Sequence, residues 1–345
     1  MNICYIIPAL SKFGPNLVVY DLVNLMMEHG HYVKVYYFDE DKKSLLSFPC
    51  ETERIRFGQR IDFSQYDVVH SHCLRPDAYV YLHKHKSCSA YFVTTLHNFV
   101  KQDLTTTYNS VIANLFTPIW MKMVSRHDKI VTLSQVAKDY YKQWFKEEQL
   151  TYVYNTRKVN ANKDLSNEEK KELLQFKGKS FLIGVNAGYD NRKGADQLLR
   201  ALPNLLDVKI FMVWRGDRPD LKKLAKDLRV ENQVFFAGYR EDAYRYLNYY
   251  DAFAVPSRSE GFPLAMLEAV SMKCNMICSD IPIFIEFFTD EEVTFFHLED
   301  ISSLEKAIKD AMLVNKSGVA YLKYQKKFSP DVIAQRYIDV YERKL

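Results

Sequence analysis

The sequence predicts an α/β protein built from two successive doubly wound units, each a parallel sheet covered by helices on both faces. Three observations carry this expectation. Short apolar runs alternate with helical stretches along almost the whole chain, the pattern of strands joined by helical crossovers. One polar, highly charged segment, residues 156–179, interrupts that rhythm near the middle. The length of 345 residues exceeds one ordinary core and suits two domains of roughly 150–180 residues each.

The first series opens with ICYII, followed by a helical run from Pro15 to His29-Gly30. Then come HYVKVYYF, YDVVHSH, a helix near residues 76–86, AYFVTTL, a long helix near 104–125, KIVTL, a helix near 134–146 and LTYVY. The interruption TRKVNANKDLSNEEKKELLQFKGK reads as an interdomain linker plus a solvated helix. The second series comprises FLIGVNA, a helix near 194–206, VKIFMVW, a helix near 219–229, QVFFAG, a helix near 241–249, DAFAVP, a helix at 263–272, MICSD and a helix near 301–314. Residues 1–157 and 158–328 are thus the expected domains, with the amphipathic C-terminal helix 329–345 packing back onto the first.

Composition narrows the function classes. A hydrophobic content of 48% and a charged content of 26% are globular values. The net charge of +4 is too small for a nucleic-acid surface, yet does not oppose an acidic membrane or a phosphorylated ligand. No apolar run approaches the ~20 residues of a membrane span, and the N-terminus reads as a strand, not a signal peptide. The six cysteines lack C-x-x-C spacing and read as reduced residues of a cytoplasmic protein. His70 and His72 share one strand face, but no carboxylate or third ligand accompanies them, so no metal is expected.

In open parallel sheets, ligands bind beyond the carboxyl ends of the strands, and the unusual motifs fall at such ends. NAGYDNRKG places Arg192, Lys193 and Gly194 between a strand and a helix, which suits a phosphate or an ordinary polar turn. PALSKFGPNL leaves amides around Gly14 free at a helix start, or forms a plain strand-to-helix turn. His97 ends the strand AYFVTTL, facing a ligand or the core. In SEGFPLAMLE, Glu260 precedes a helix N-terminus, where negative charge is favoured. Glu268 lies inside that helix on a face with Leu264, Leu267 and Met272, where a carboxylate needs hydrogen-bond donors, which the hydroxyls of a polyhydroxyl ligand would supply.

PSRSEGFPLAMLEAV, the RKG turn, TLHN, DVVHSH and the terminal FSPDVIAQRYIDVYE together resemble a retaining GT-B glycosyltransferase of the glycogen-synthase-like, lipopolysaccharide-mannosyltransferase-like group, the family-4 type. The resemblance spans nearly the whole chain, and the paired glutamates are its most specific part. It implies GT-B architecture: two Rossmann-like domains facing across a cleft, the first for the acceptor and the second for a nucleotide sugar. It implies that Glu260 bonds donor-sugar hydroxyls, with the backbone at Gly261, Phe262, Pro263 and Leu264 facing sugar and β-phosphate. Glu268 would hold the ribose, Lys193 the diphosphate with help from Arg192, Gly14 would offer an amide to phosphate, and His97 would sit near the sugar.

The resemblance further implies transfer from a nucleotide-diphosphate sugar, UDP- ahead of GDP-, to a glycan, glycolipid or glycoprotein, with retention, no cofactor and no metal. Bacterial surface polysaccharide or glycoconjugate synthesis is the expected setting. The run NSVIANLFTPIWMKMVSRHDK reads as a core helix of the first domain or as an amphipathic helix touching the inner face of the membrane. Three positions depart from the family pattern: Phe13 replaces a glycine, Gly188 an arginine, and Lys273-Cys274-Asn275 a Gly-x-Pro turn. The third suggests an altered turn, while Phe13 and Gly188 motivate a second reading, a non-catalytic GT-B partner of an active transferase; a nucleotide-sugar epimerase is a third.

Overall fold

The computed structural model describes residues 1–41, 45–187, 191–214 and 216–344. The chain divides into two compact units, residues 1–157 with 327–345, and residues 158–326. The first unit runs β1 (Asn2–Leu10), α1 (Gly14–Glu28), β2 (Tyr32–Glu40), β3 (Glu51–Arg54), β4 (Val68–His72), α2 (Leu74–His83), β5 (Tyr91–Leu96), α3 (Val100–Thr107), α4 (Ser110–Val124), β6 (Lys129–Thr132), α5 (Gln135–Tyr141) and β7 (Leu150–Tyr152). Its seven-stranded sheet has the order β3-β2-β1-β4-β5-β6-β7, and each pairing is parallel. The buried run Ile3–Ile7 explains why the central strand β1 reads as a continuous apolar segment.

The second unit contains α6 (Asn167–Lys177), β8 (Phe181–Ala187), α7 (Ala195–Ala201), β9 (Val208–Trp214), α8 (Pro219–Asp227), β10 (Val234–Gly238), β11 (Ala252–Val255), α9 (Leu264–Ser271), β12 (Met276–Ser279), α10 (Pro282–Phe287), β13 (Thr294–Phe296), α11 (Ile301–Leu313) and α12 (Ser317–Lys327). Its parallel sheet has the order β10-β9-β8-β11-β12-β13. In both units the chain first winds outward from the opening strand and then restarts on its other side. That reversal opens a crevice between β1 and β4 in one sheet and between β8 and β11 in the other.

Helix α13 (Pro330–Tyr341) belongs to the first unit. Its apolar face is buried, and the Tyr341 hydroxyl lies 2.8 Å from that of Tyr5 and 2.9 Å from His70 Nδ1. A hydroxyl in this apolar setting needs such partners.

Several expected elements differ. The long helix near 104–125 is two helices, because Asn109 adopts an extended backbone and caps α4 through its side chain to the Ile112 amide at 2.9 Å. The stretch near 241–249 is a 3₁₀ run, Ala243–Tyr249, entered through Asp242 in the left-handed region at φ 52°. The helix expected at 263–272 begins one residue later, with Pro263 as its cap rather than its first turn. Strand β3 was hidden by its charges, which serve an edge: Lys34 pairs with Glu51 at 2.6 Å and Glu53 at 2.8 Å. β13, α10 and α12 are too short or too polar to announce themselves. The helix in the charged interruption, α6, is set by a capping box of Ser166 and Glu169 and anchored by fully buried Leu173.

Lys273, where the family pattern has glycine, takes the left-handed conformation at φ 56°. Its ammonium lies over the Tyr321 ring at 4.6 Å, and the Asn275 side chain donates to the Ala311 and Val314 carbonyls. The turn is therefore kept with different residues. Gly188 lies outside the described residues.

Gly184 in β8 has no room for a side chain, since a Cβ would sit 1.9 Å from the Tyr250 ring. Gly184→Ala should lower the second unit's stability by roughly 1–3 kcal/mol, the usual cost of overpacking. Gly14→Ala is the control, because a Cβ there meets nothing within 4 Å. Urea unfolding of the two variants checks the difference.

Candidate active site

The strongest constellation lies inside the second unit, at the crevice between β8 and β11. Strand β8 leads into the turn Asn191–Lys193, and β11 leads into Pro256–Pro263 ahead of α9. The two segments are tied together. The Arg258 amide donates to the Arg192 carbonyl at 2.7 Å, and the Arg258 guanidinium grips both Asp196 oxygens at 2.9 Å. Burial works to raise the Asp196 carboxyl, yet Arg258 holds it below the ordinary carboxylate range. Gly194 allows the close approach: it is left-handed at φ 66°, and a Cβ would lie 1.9 Å from the Pro256 carbonyl oxygen. Gln197 donates to that same carbonyl at 2.9 Å.

This framework brings together one residue from each of the two loops marked in the sequence. Lys193 Nζ donates to both oxygens of Glu260, at 2.8 and 2.9 Å, and Ser257 Oγ donates to Oε1 at 2.6 Å. Glu260 is 8% exposed, so burial makes these bonds necessary. They face a pocket lined by Val185, Asn186, Phe253, Ser257 and Pro263. Glu260 lies before α9 but gives it no side-chain cap. The carboxylate instead accepts from Lys193 and Ser257, and α9 begins at Leu264 after Pro263.

The other expected donor residues are distributed around this pair. Gly261, Phe262 and Pro263 are buried in the connecting loop, with Phe262 packed on Phe287 at a ring distance of 4.3 Å. Leu264 opens α9 and is partly exposed. Glu268 is also partly exposed, not enclosed in the apolar face expected for it. It stands on α9 between the buried Leu267 and Ala269. Arg192 is partly buried and contributes its carbonyl to the Arg258 tie. Ser257 and Arg258 were not foreseen. Ser257 has a local signal, three residues before Glu260; Arg258 has none, since its partners lie 41 to 67 residues away.

In the first unit, Gly14 opens α1 beside open space, and Phe13 is 57% exposed next to it. His97 follows β5 directly and is half-buried. Its Nε2 lies 2.9 Å from Nδ1 of fully buried His72, whose ring packs at a tilt against His70 with a centroid distance of 4.2 Å. Deeper in, Asp77 accepts from Ser71 and Thr94 at 2.7 Å and from Trp120 at 2.8 Å. Burial pushes its carboxyl up to about 6 against those three donors. His127 lies beside Ser71 at 2.8 Å and is held down to about 4, chiefly by burial. No group of three or more His, Cys, Asp or Glu among the described residues is arranged to hold a metal.

Comparison with known families agrees with the geometry. The model described as "Glycosyltransferase Family 4" matches residues 14–157, and that described as "Glycosyl transferases group 1" matches residues 166–328. The chain belongs to the family-4 type of GT-B glycosyltransferases. This glycosyltransferase is 29% identical to the O-antigen biosynthesis glycosyltransferase WclY of Escherichia coli, over 99% of this chain and 98% of that one. Among solved structures it matches sucrose-phosphate synthase from Thermosynechococcus elongatus with a TM-score of 0.81 at 16% identity, covering 99% and 98% of the two chains. It also matches HepE of Anabaena in complex with UDP, with a TM-score of 0.79 at 16% identity, covering 99% of both. At those identities the structural likenesses establish the GT-B fold.

Two predictions follow the two charge arrangements. Lys193→Ala leaves Glu260 buried without its cation and should destabilise the second unit by roughly 1–3 kcal/mol. The Lys193→Ala, Glu260→Ala double variant should recover part of that loss, read as a coupling energy from urea midpoints. In the first unit, burial holds His127 neutral, with its folded-state value of about 4 below the unfolded 6.5. The unfolded chain therefore binds the proton first, and stability falls as pH drops below 6.5; by pH 5 His127 alone costs about 2 kcal/mol. The raised Asp77 works in the opposite direction between its two values. His70, His72 and His97 are lowered by burial like His127, so the net expectation is a lower thermal midpoint at pH 5 than at pH 7, measured by calorimetry.

Proposed function

We propose that this glycosyltransferase moves a hexosyl group from a UDP-sugar to a growing glycan or lipid-linked acceptor, with retention of anomeric configuration, in the synthesis of a bacterial surface polysaccharide. The observation that carries the reading is the Lys193–Glu260 pair, bonded at 2.8 and 2.9 Å and set at the crevice of the second sheet. A nucleotide sugar contains the two partners for which such a pair would exchange. Its diphosphate attracts the Lys193 ammonium, with Arg192 beside it, and its sugar hydroxyls donate to the Glu260 carboxylate. Glu268 would take the ribose hydroxyls, and backbone amides from Gly261 to Leu264 the sugar and β-phosphate. The bound UDP of the HepE structure supports the choice of nucleotide, and WclY supports the O-antigen setting.

In this reading the departing diphosphate is stabilised by the ammonium and by backbone amides, which is the work a metal would otherwise do. The acceptor hydroxyl attacks from the face the phosphate leaves. The first unit would hold the acceptor and contribute Gly14 and His97. No helix among the described residues is long and apolar enough to cross a membrane, and a cytoplasmic enzyme that touches the inner membrane face fits the geometry of α4. That helix buries Ala113, Thr117, Met121 and Val124 while exposing Val111, Leu115, Phe116 and Ile119 beside Lys122. Such an arc suits the interfacial region of an acidic bilayer.

Calorimetric titration with UDP and GDP, each with and without EDTA, tests the donor half. UDP should bind, and EDTA should not weaken it. Glu260→Gln should reduce transfer by at least a hundredfold while UDP binding persists, because the lost contacts are to the sugar. Failure of every nucleotide to bind would instead favour a non-catalytic partner subunit, and sugar conversion without acceptor an epimerase.

A further inference from the structure

His72 is fully buried and near the end of β4, yet nothing in the donor site requires it. Its ring is held by His70 at 4.2 Å and by Tyr5 at 6.1 Å. Its Nδ1 lies 2.9 Å from His97 Nε2, whereas its Nε2 is buried with no hydrogen-bond partner. Burial disfavours the charged form of both rings, so one proton is shared between the facing nitrogens, and two arrangements are possible. If His97 donates, His72 must carry its own proton on Nε2, leaving a buried N–H with no acceptor. If His72 donates, the orphan is only a lone pair. Orphaned buried N–H groups are the rarer and costlier of the two.

We infer that His72 is a positioning residue: its Nδ1–H donates to His97 Nε2 and fixes His97 as the Nδ1–H tautomer. His97 makes no other hydrogen bond among the described residues and is half-buried at the carboxyl end of β5. Its outward nitrogen is therefore a hydrogen-bond donor, held in the tautomer that free histidine disfavours. A donor there suits an oxygen acceptor, such as a sugar hydroxyl oxygen, and does not suit abstraction of a proton. The inference rests on the proposed placement of His97 near the sugar. Indirect orientation of a histidine through its second nitrogen is the role that carboxylates and carbonyls play for catalytic and metal-bound histidines.

Long-range proton–nitrogen NMR on the full chain, with ¹⁵N-labelled histidine, reads the tautomer without any activity. The wild type should show His97 protonated on Nδ1. His72→Leu should move that proton to Nε2, and His72→Asn, whose amide N–H sits near the position of Nδ1, should restore it. In transfer assays His72→Leu should lower kcat about tenfold with KM for the nucleotide sugar unchanged, and His72→Asn should recover most of it. A wild-type spectrum with His97 protonated on Nε2 overturns the inference, even if His72→Leu proves too unstable to study. So does equal loss in His72→Leu and His72→Asn. His97→Ala separates the two claims: full turnover in that variant removes His97 from the reaction, while the tautomer spectrum still reports whether His72 sets it.

Discussion

Parallel strand direction is the constraint on which the rest of this molecule depends. Each strand in both sheets pairs in parallel, so each must be followed by a crossover and all carboxyl ends open on one side. Loops and helix starts then collect on that side whether or not they have a function. The strand order adds the second condition, for it separates the crossovers leaving β8 and β11 to opposite faces. A buried, paired charge at that fork is what distinguishes a site from a turn.

The ties around the fork explain how a carboxylate is kept there. Arg258, Gln197 and Gly194 do not face the pocket, but they fix the separation between the two loops that carry Lys193 and Glu260. Holding a charge in a fixed place before the ligand arrives is the essence of electrostatic preorganisation. The first unit uses the same economy with neutral groups. Its histidines, tyrosines and Asp77 are buried and satisfy one another, and α13 closes the network through Tyr341. A terminal helix joined this way makes the folding of the first unit depend on both ends of the chain, 336 residues apart at the Tyr5–Tyr341 contact.

Much of this was legible in the residue pattern. Alternating apolar runs gave the parallel units, and their central strands fell where the buried runs lie, since such strands are apolar on both faces. SEGFPLAMLE and RKG marked the two loops at the fork, because each places charged residues between a strand and the helix that follows it. The edge strand β3 escaped notice for the converse reason: an edge half meets water and is free to be charged. Lys273 shows a subtler limit, since a lysine in a left-handed turn cannot be told from a lysine on a helix until its ring partner is in place.

The sequence by itself determined the fold class, the order of the elements and the two loops that carry the proposed donor site, because periodicity and turn residues are local properties. Which glutamate is buried was decided only in three dimensions. Glu268, on a helix among apolar neighbours, had looked the more enclosed, yet it keeps contact with solvent, and Glu260 in the loop is the buried one. Burial of a loop residue is set by what packs over it, here the turn carrying Lys193, 67 residues earlier in the chain. Likewise, H-x-H spacing placed His70 and His72 on one face, but only the parallel pairing of β4 with β5 brings His72 within hydrogen-bond reach of His97.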